Sequence, residues 1–150
     1  MADYLAIGDA VAARFAPGVV TPPAGQPNVR VSTARPPNAI PSSPFVIVVI
    51  LGTEDTWSSG VLYGQAQLRV RFHRAKHEAD VPREWAALEA WLGVLRGQIF
   101  GQWKIGQAPV VAKVLIAKWT LSVLTYAGIE YDGIEGEGTI WTEEAVTATP

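Results

Sequence analysis

No cysteine occurs in the 150 residues, and that one absence excludes disulfides, thiolate metal sites and cysteine nucleophiles together. Histidine is scarce as well: with two in the chain, the commonest general base and metal ligand is nearly missing. Charge is sparse and almost balanced. Only 17% of residues are charged and the net charge is −2, which gives no overall pull toward nucleic acid or an acidic membrane surface. The longest strictly apolar run, Phe45 to Leu51, is far too short to span a bilayer, and the start of the chain lacks the basic and apolar regions of a signal peptide. A soluble intracellular product, or a part of something assembled inside a cell, is therefore expected. What the chain does have is apolar residues, 49% of the total, enough for one globular domain over 1–150.

The stretch from Gln65 to Phe100 organises the rest. Ala66, Leu68, Val70 and Phe72 alternate with Gln65, Gln67, Arg69, Arg71 and His73, the pattern of a strand with one face on a core and the other polar and basic. Arg74 to Asp80 reads as a solvated connection, with Asp80 placed to cap a helix and Pro82 tolerated in its first turn. In the helix Pro82–Phe100, Trp85, Leu88, Trp91, Leu92, Leu95 and Ile99 share one stripe, and Gly101 stops it. Ala86, Ala90, Gly93 and Gly97 draw a second stripe of small residues at four-three-four spacing. Each glycine there costs roughly 1 kcal/mol against alanine, so a close backbone contact should offset it. The partner is either the first helix of the same chain or a neighbouring copy.

Around that centre, Tyr4, Ile7, Gly8, Val11 and Phe15 mark a short amphipathic helix capped by Asp3 and ended by Pro17-Gly18. Val19 to Pro27 reads as an extended connection, Val29 to Arg35 as an edge strand, and the proline-rich Pro36 to Pro44 as a loop. Phe45 to Leu51 has no polar face, as in a strand covered on both sides. Gly52 to Gly60 reads as a long hairpin loop carrying Trp57, either folded back on the core or serving as an anchor at a protein contact. Gln102 to Pro109 reads as a turn region. Val110 to Tyr126 reads as a long or bent strand interrupted by Lys113 and Lys118, with a helix as the alternative. Asp132-Gly133 signals the turn of a closing hairpin, and Glu143 to Pro150 a frayed tail.

Catalytic constellations are not apparent. His73 and His77 straddle a strand end and a turn, so they read as solvated turn residues and not as metal ligands. Glu130, Asp132, Glu135 and Glu137 lack the ligand spacing of a calcium loop. Gly133, Gly136 and Gly138 reverse the order of a dinucleotide fingerprint and sit among acids that would repel phosphate. The reading is of a non-enzyme with no cofactor and no metal. Arg69 and Arg71, with His73, form the one basic stripe. It is either a solvated or ion-paired face, a charge-matched subunit contact, or the lining of a passage for nucleic acid, and without interleaved aromatics it supports weak phosphate contact at most.

The element order is an amino-terminal helix, a proline-rich strand and loop, the hairpin Phe45–Leu51 with Gln65–His73, the tryptophan-bearing helix Pro82–Phe100, and strands closing in Tyr131-Asp-Gly and Gly138-Thr-Ile-Trp-Thr-Glu-Glu144. This order resembles the tail terminator (tail-completion, head–tail joining) proteins of long-tailed bacteriophages over nearly the whole chain. The resemblance and the pattern together give the expected fold: α+β, with a mainly antiparallel sheet of four or five strands and two helices mostly on one face. The resemblance further implies a structural virion protein at the tail–neck junction, assembled in the host cytoplasm. It would form a homo-oligomeric ring, usually of six copies, that caps the tail tube, stops its polymerisation and meets the head-connector protein. DNA would cross the lumen as transient cargo, and no membrane is involved. Ala86, Ala90, Gly93, Gly97, Trp57 and Trp141 are then the subunit-contact candidates, and Arg69, Arg71 and His73 the lumen or charge-contact candidates. The alternatives are another neck component, such as a head-completion or adaptor protein, or a small bacterial ligand-binding domain.

Overall fold

A computed structural model of the chain describes residues 3–35, 37–78, 85–99, 101–105 and 110–145. The elements run α1 (Tyr4–Ala13), β1 (Val31–Thr33), β2 (Phe45–Ser58), β3 (Val61–Lys76), α2 (Trp85–Gln98), β4 (Trp103–Ile105), β5 (Val110–Tyr126) and β6 (Ile129–Ala145). The fold is α+β. Among the described residues its sheet has six strands in the order β1-β2-β3-β6-β5-β4, more than the four or five expected. It is mixed, because β1 pairs with β2 in parallel while the other neighbours are antiparallel. The extra strand is β4, three residues too short to leave a periodic signal in what reads as a turn region.

Both long hairpins differ from the expected connections. The β2–β3 turn is only Ser59-Gly60, with φ of 49° and 80°, and the β5–β6 turn is Ala127-Gly128, with φ of 51° and 79°. Two consecutive positive φ values match the right-handed twist of the flanking strands, which is why tight hairpins favour them. Gly52–Gly60 is therefore not a long loop. Apart from its two turn residues it belongs to an extension of β2, re-registered by an irregularity between Leu51 and Thr53. Asp132-Gly133 is not a turn either, and lies inside β6. A β-carbon on Gly133 would run into the Phe72 carbonyl and the Leu124 side chain, so glycine is required there by close packing of the neighbouring strands. Glu143 and Glu144 pair with β3 and β5 and are not frayed, and residues 146–150 lie outside the described ones.

Residues opposite one another in a ladder share a face, so the register sorts the sheet. Val46, Val48, Leu68, Val70, Phe72, Ile134, Ile140, Val114 and Ile116 belong to the main core, the face that carries both helices. Asp3 caps α1 by accepting from the Ala6 amide at 3.1 Å, and Ile7 and Val11 are buried. Gly8 sits close to Ala34 and Ile50. Leu88, Trp91, Leu95 and Ile99 bury the α2 stripe, and the Trp91 ring meets Phe72 at 4.6 Å between centroids. Trp85 departs from that stripe: it is 50% exposed at the first turn of the helix. The expected Asp80 cap and Pro82 lie outside the described residues. The two helices are tied where they end, since Arg14 Nε donates to the Gln98 carbonyl at 3.1 Å and Gln98 Nε2 donates to the Arg14 carbonyl at 2.7 Å.

Candidate functional site

With both helices on one side, the opposite face of the sheet carries the polar members of the alternation. Arg69 stands opposite Glu137 and Arg71 opposite Glu135. Glu135 accepts from both arginines at 2.9 Å, and Arg69 also reaches Glu137 at 3.3 Å. Two cations and two carboxylates thus cancel within a two-strand lattice. Of the readings open to the basic stripe, this is the ion-paired face, and its charge is largely spent inside the molecule.

His73 departs from the stripe. It is 1% exposed, and its ring stacks on Phe45 with centroids 4.3 Å apart and planes 10° from parallel. Tyr126 and Tyr131 close the box edge-on at 5.7 and 5.4 Å. Burial lowers the imidazole to a pKa of about 4. Backbone hydrogen bonding to Phe45 opposes that shift and the charge of Arg71 reinforces it, with desolvation prevailing. His73 is therefore neutral at pH 7 and offers neither charge nor contact to an outside partner. The Tyr131 phenol is pushed up by burial and by Tyr126. His77 is not a free turn residue: its Nδ1 lies 2.9 Å from the buried Asp132 carboxylate, and its amide donates to the Glu130 carbonyl. The two histidines serve separate structural contacts. Among the described residues no group of three or more histidine, aspartate or glutamate side chains could hold a metal.

Further along the same face, Glu54, Gln65, Trp141 and Lys113 form one row across four strands, each opposite the next. They help line a groove of about 390 Å³ with Thr56, Tyr63, Gln102 and Glu143. Trp141, partly buried, is one of its lining residues, so this tryptophan lies in a concave site among carboxylates, amides and a lysine. Residues 51–60, among them the groove-lining Glu54 and Thr56, are exposed throughout. The end of β2 is an exposed outer arm of the sheet, while β3 beside it stays paired with β6 as far as Val61. Trp57 sits on that arm, 62% exposed and pointing away from the groove, on the side of Leu62. It is neither in a loop nor folded back on the core.

No family model matches the chain, and no curated protein matches it. The surface has to be read from its own geometry.

The small-residue stripe on α2 is also open. Ala86, Ala90, Gly93 and Gly97 are exposed, and a β-carbon on either glycine would meet nothing within 4 Å. The first helix does not cover it, because α1 contacts β1 and β2 instead. Next to it, Ala86 and Ala90 line a shallow depression with Trp85, Pro23 and Gln26.

Sequence reading located Trp57, Trp141 and the arginine stripe but scattered them over a loop, a closing hairpin and a strand. It missed the groove, since Glu54, Gln65, Lys113 and Trp141 become neighbours only through the strand order. It also missed the arm. The available signal was Ser59-Gly60, an X-Gly pair of the kind tight hairpins use, outweighed by the turn-forming residues from Gly52 onward.

Proposed function

We propose that this protein is a structural assembly subunit whose work is shape matching: a tail-terminator ring component at the neck of a long-tailed bacteriophage. The observation that carries the reading is the exposed outer end of β2 with Trp57 near its turn, beside an open groove lined by Trp141. An exposed tryptophan on the outermost strand of a sheet has little stabilising role in its own chain, whereas tryptophan anchors are what protein interfaces use as hot spots. The layout of helices and strands that prompted the resemblance supports the same reading.

On this proposal, copies join into a closed ring, nominally of six, which sits on the last ring of tail tube protein and leaves no surface for another. The opposite side of the ring meets the head-connector protein, and DNA passes through the opening without base-specific contact. The lattice of Arg69, Arg71, Glu135 and Glu137 suits such a passage by being nearly neutral, so it neither grips nor strongly repels the backbone. No catalytic step and no cofactor enter the proposal.

Electron microscopy of the purified protein mixed with tail tubes tests it. Rings bound at tube ends are the expected outcome, and binding along tube walls, or none, overturns it. Capture of DNA-filled heads instead of tubes would move the protein to another component of the same neck.

A further inference from the structure

Among the described residues the sheet has two long edges left unpaired. β1 pairs only with Phe45 to Ile47 of β2, and β4 only with Ala112 to Val114 of β5. Among the described residues, β2 from Val49 to Ser58 and β5 from Leu115 to Tyr126 have no outer neighbour. At about 3.4 Å per residue these edges run roughly 34 Å and 41 Å, similar lengths of unfilled backbone donors and acceptors. An edge of that length is a ready template for another strand, and chains that must stay monomeric usually shorten or cover it.

The charges on the two strands are sorted by sign. The only ionisable side chains in β2 are Glu54 and Asp55, and the only strongly basic ones in β5 are Lys113 and Lys118, with no acid among them. Glu54 stands opposite Gln65, and Lys118 opposite Glu137, which places both on the face of the sheet away from the helices. Like-with-like pairing of two β2 edges, or of two β5 edges, would bring charges of one sign together. Pairing β2 of one copy with β5 of the next neutralises them and keeps the helices of successive copies on the same side.

We infer that the β2 edge of one copy adds to the β5 edge of a second copy, so that successive sheets become one continuous sheet. The contact is heterologous, using two different surfaces of the same chain. It therefore propagates head-to-tail and closes where the rotation between copies permits. The inference rests on the ring reading for its biological setting, but its geometry is a property of the two edges alone.

The absence of cysteine makes the test clean. When Glu54 faces Lys118 in an antiparallel contact, Leu51 of one copy stands opposite Thr120 of the next. A chain carrying Leu51→Cys on β2 and Thr120→Cys on β5, treated with a short thiol-to-thiol crosslinker, should give a ladder of covalent multimers ending in one terminal band. The two single variants mixed together should give dimers, while each alone stays monomeric. Glu54→Lys and Lys118→Glu should each lower the crosslinked yield by a factor of about ten, and combining them should restore it. Equal crosslinking by either single variant alone, or monomers throughout, overturns the inference. Rings seen by light scattering without crosslinks would place the contact elsewhere and leave the ring reading standing. Crosslinked multimers that never cap a tail tube would do the reverse.

Discussion

The imidazole of His73 lies flat against the ring of Phe45, 4.3 Å away, and that stack places a titratable group inside a wall of aromatics. Its folded pKa of about 4 is below its ordinary value of 6.5, so between those values the unfolded chain holds the extra proton. The stability this group contributes is fully present above about pH 6.5 and is lost as pH falls toward 4, by roughly 2–3 kcal/mol. Urea unfolding at pH 7.5 and 4.5 should show that loss in the parent protein. His73→Phe should shrink the difference between the two pH values, and an unchanged difference would mean the imidazole is already protonated or solvated in the fold.

Gly136 and Trp119 form a second dependent pair. A β-carbon on Gly136 would stand 2.8 Å from the indole, which also packs edge-on to Phe15 at 6.3 Å. Gly136→Ala is expected to destabilise by about 1–3 kcal/mol through overpacking. Adding Trp119→Leu should recover part of that loss, since the methyl then has space. Strictly additive denaturation midpoints would show that the two residues do not press on each other.

Within the charged lattice, Glu135 is the shared acceptor and its side chain is 17% exposed, against 43% for Glu137. Glu135→Gln should cost about 1 kcal/mol and Glu137→Gln less than half as much, because exposed pairs are screened. Denaturation in low and high salt checks this, and both losses should narrow as salt rises. Equal costs would contradict the geometry.

Trp57 and Gly93 separate folding from assembly. Trp57→Ala should leave unfolding within about 0.5 kcal/mol of the parent, as expected for an exposed position. Under the proposed function it should abolish end-capping of tubes. Gly93→Ala should stabilise the monomer by roughly 0.5–1 kcal/mol, because its β-carbon meets no neighbour and alanine is the better helix former. Gly93→Leu should fold as well as the parent yet assemble poorly if a neighbouring copy uses the stripe. Normal rings by light scattering would take that role away from it.

How much of this was readable in advance follows from where periodicity exists. Leu68, Val70 and Phe72 alternate against polar neighbours, and Leu88, Trp91 and Leu95 recur at helical spacing, so β3 and α2 declare themselves. The arm does not. Thr53 to Ser58 has no face to bury, so its strand is imposed by hairpin pairing and not by an apolar pattern. Gly133 and Gly136 look like punctuation in the sequence but are accommodations to Phe72, Leu124 and Trp119, which only the strand order brings near. His73 shares the alternation parity of Arg69 and Arg71, yet Phe45, Tyr126 and Tyr131 converge on it and turn one end of a polar face into a second small core.

That second core has a mechanical consequence. The sheet is sandwiched where Phe45, Ile47 and Tyr131 back the helix-covered layer, and at the far end of β2 residues 51–60 are exposed along the sheet's outer edge. One strand is thus clamped on both faces at its base and held at its far end mainly by pairing with β3. Amide protons of Val46, Val48 and Val70 should exchange only with global unfolding, while those of the far end exchange through cheap local opening. An outer strand that opens locally in this way can fit itself to a partner without straining the body that holds it.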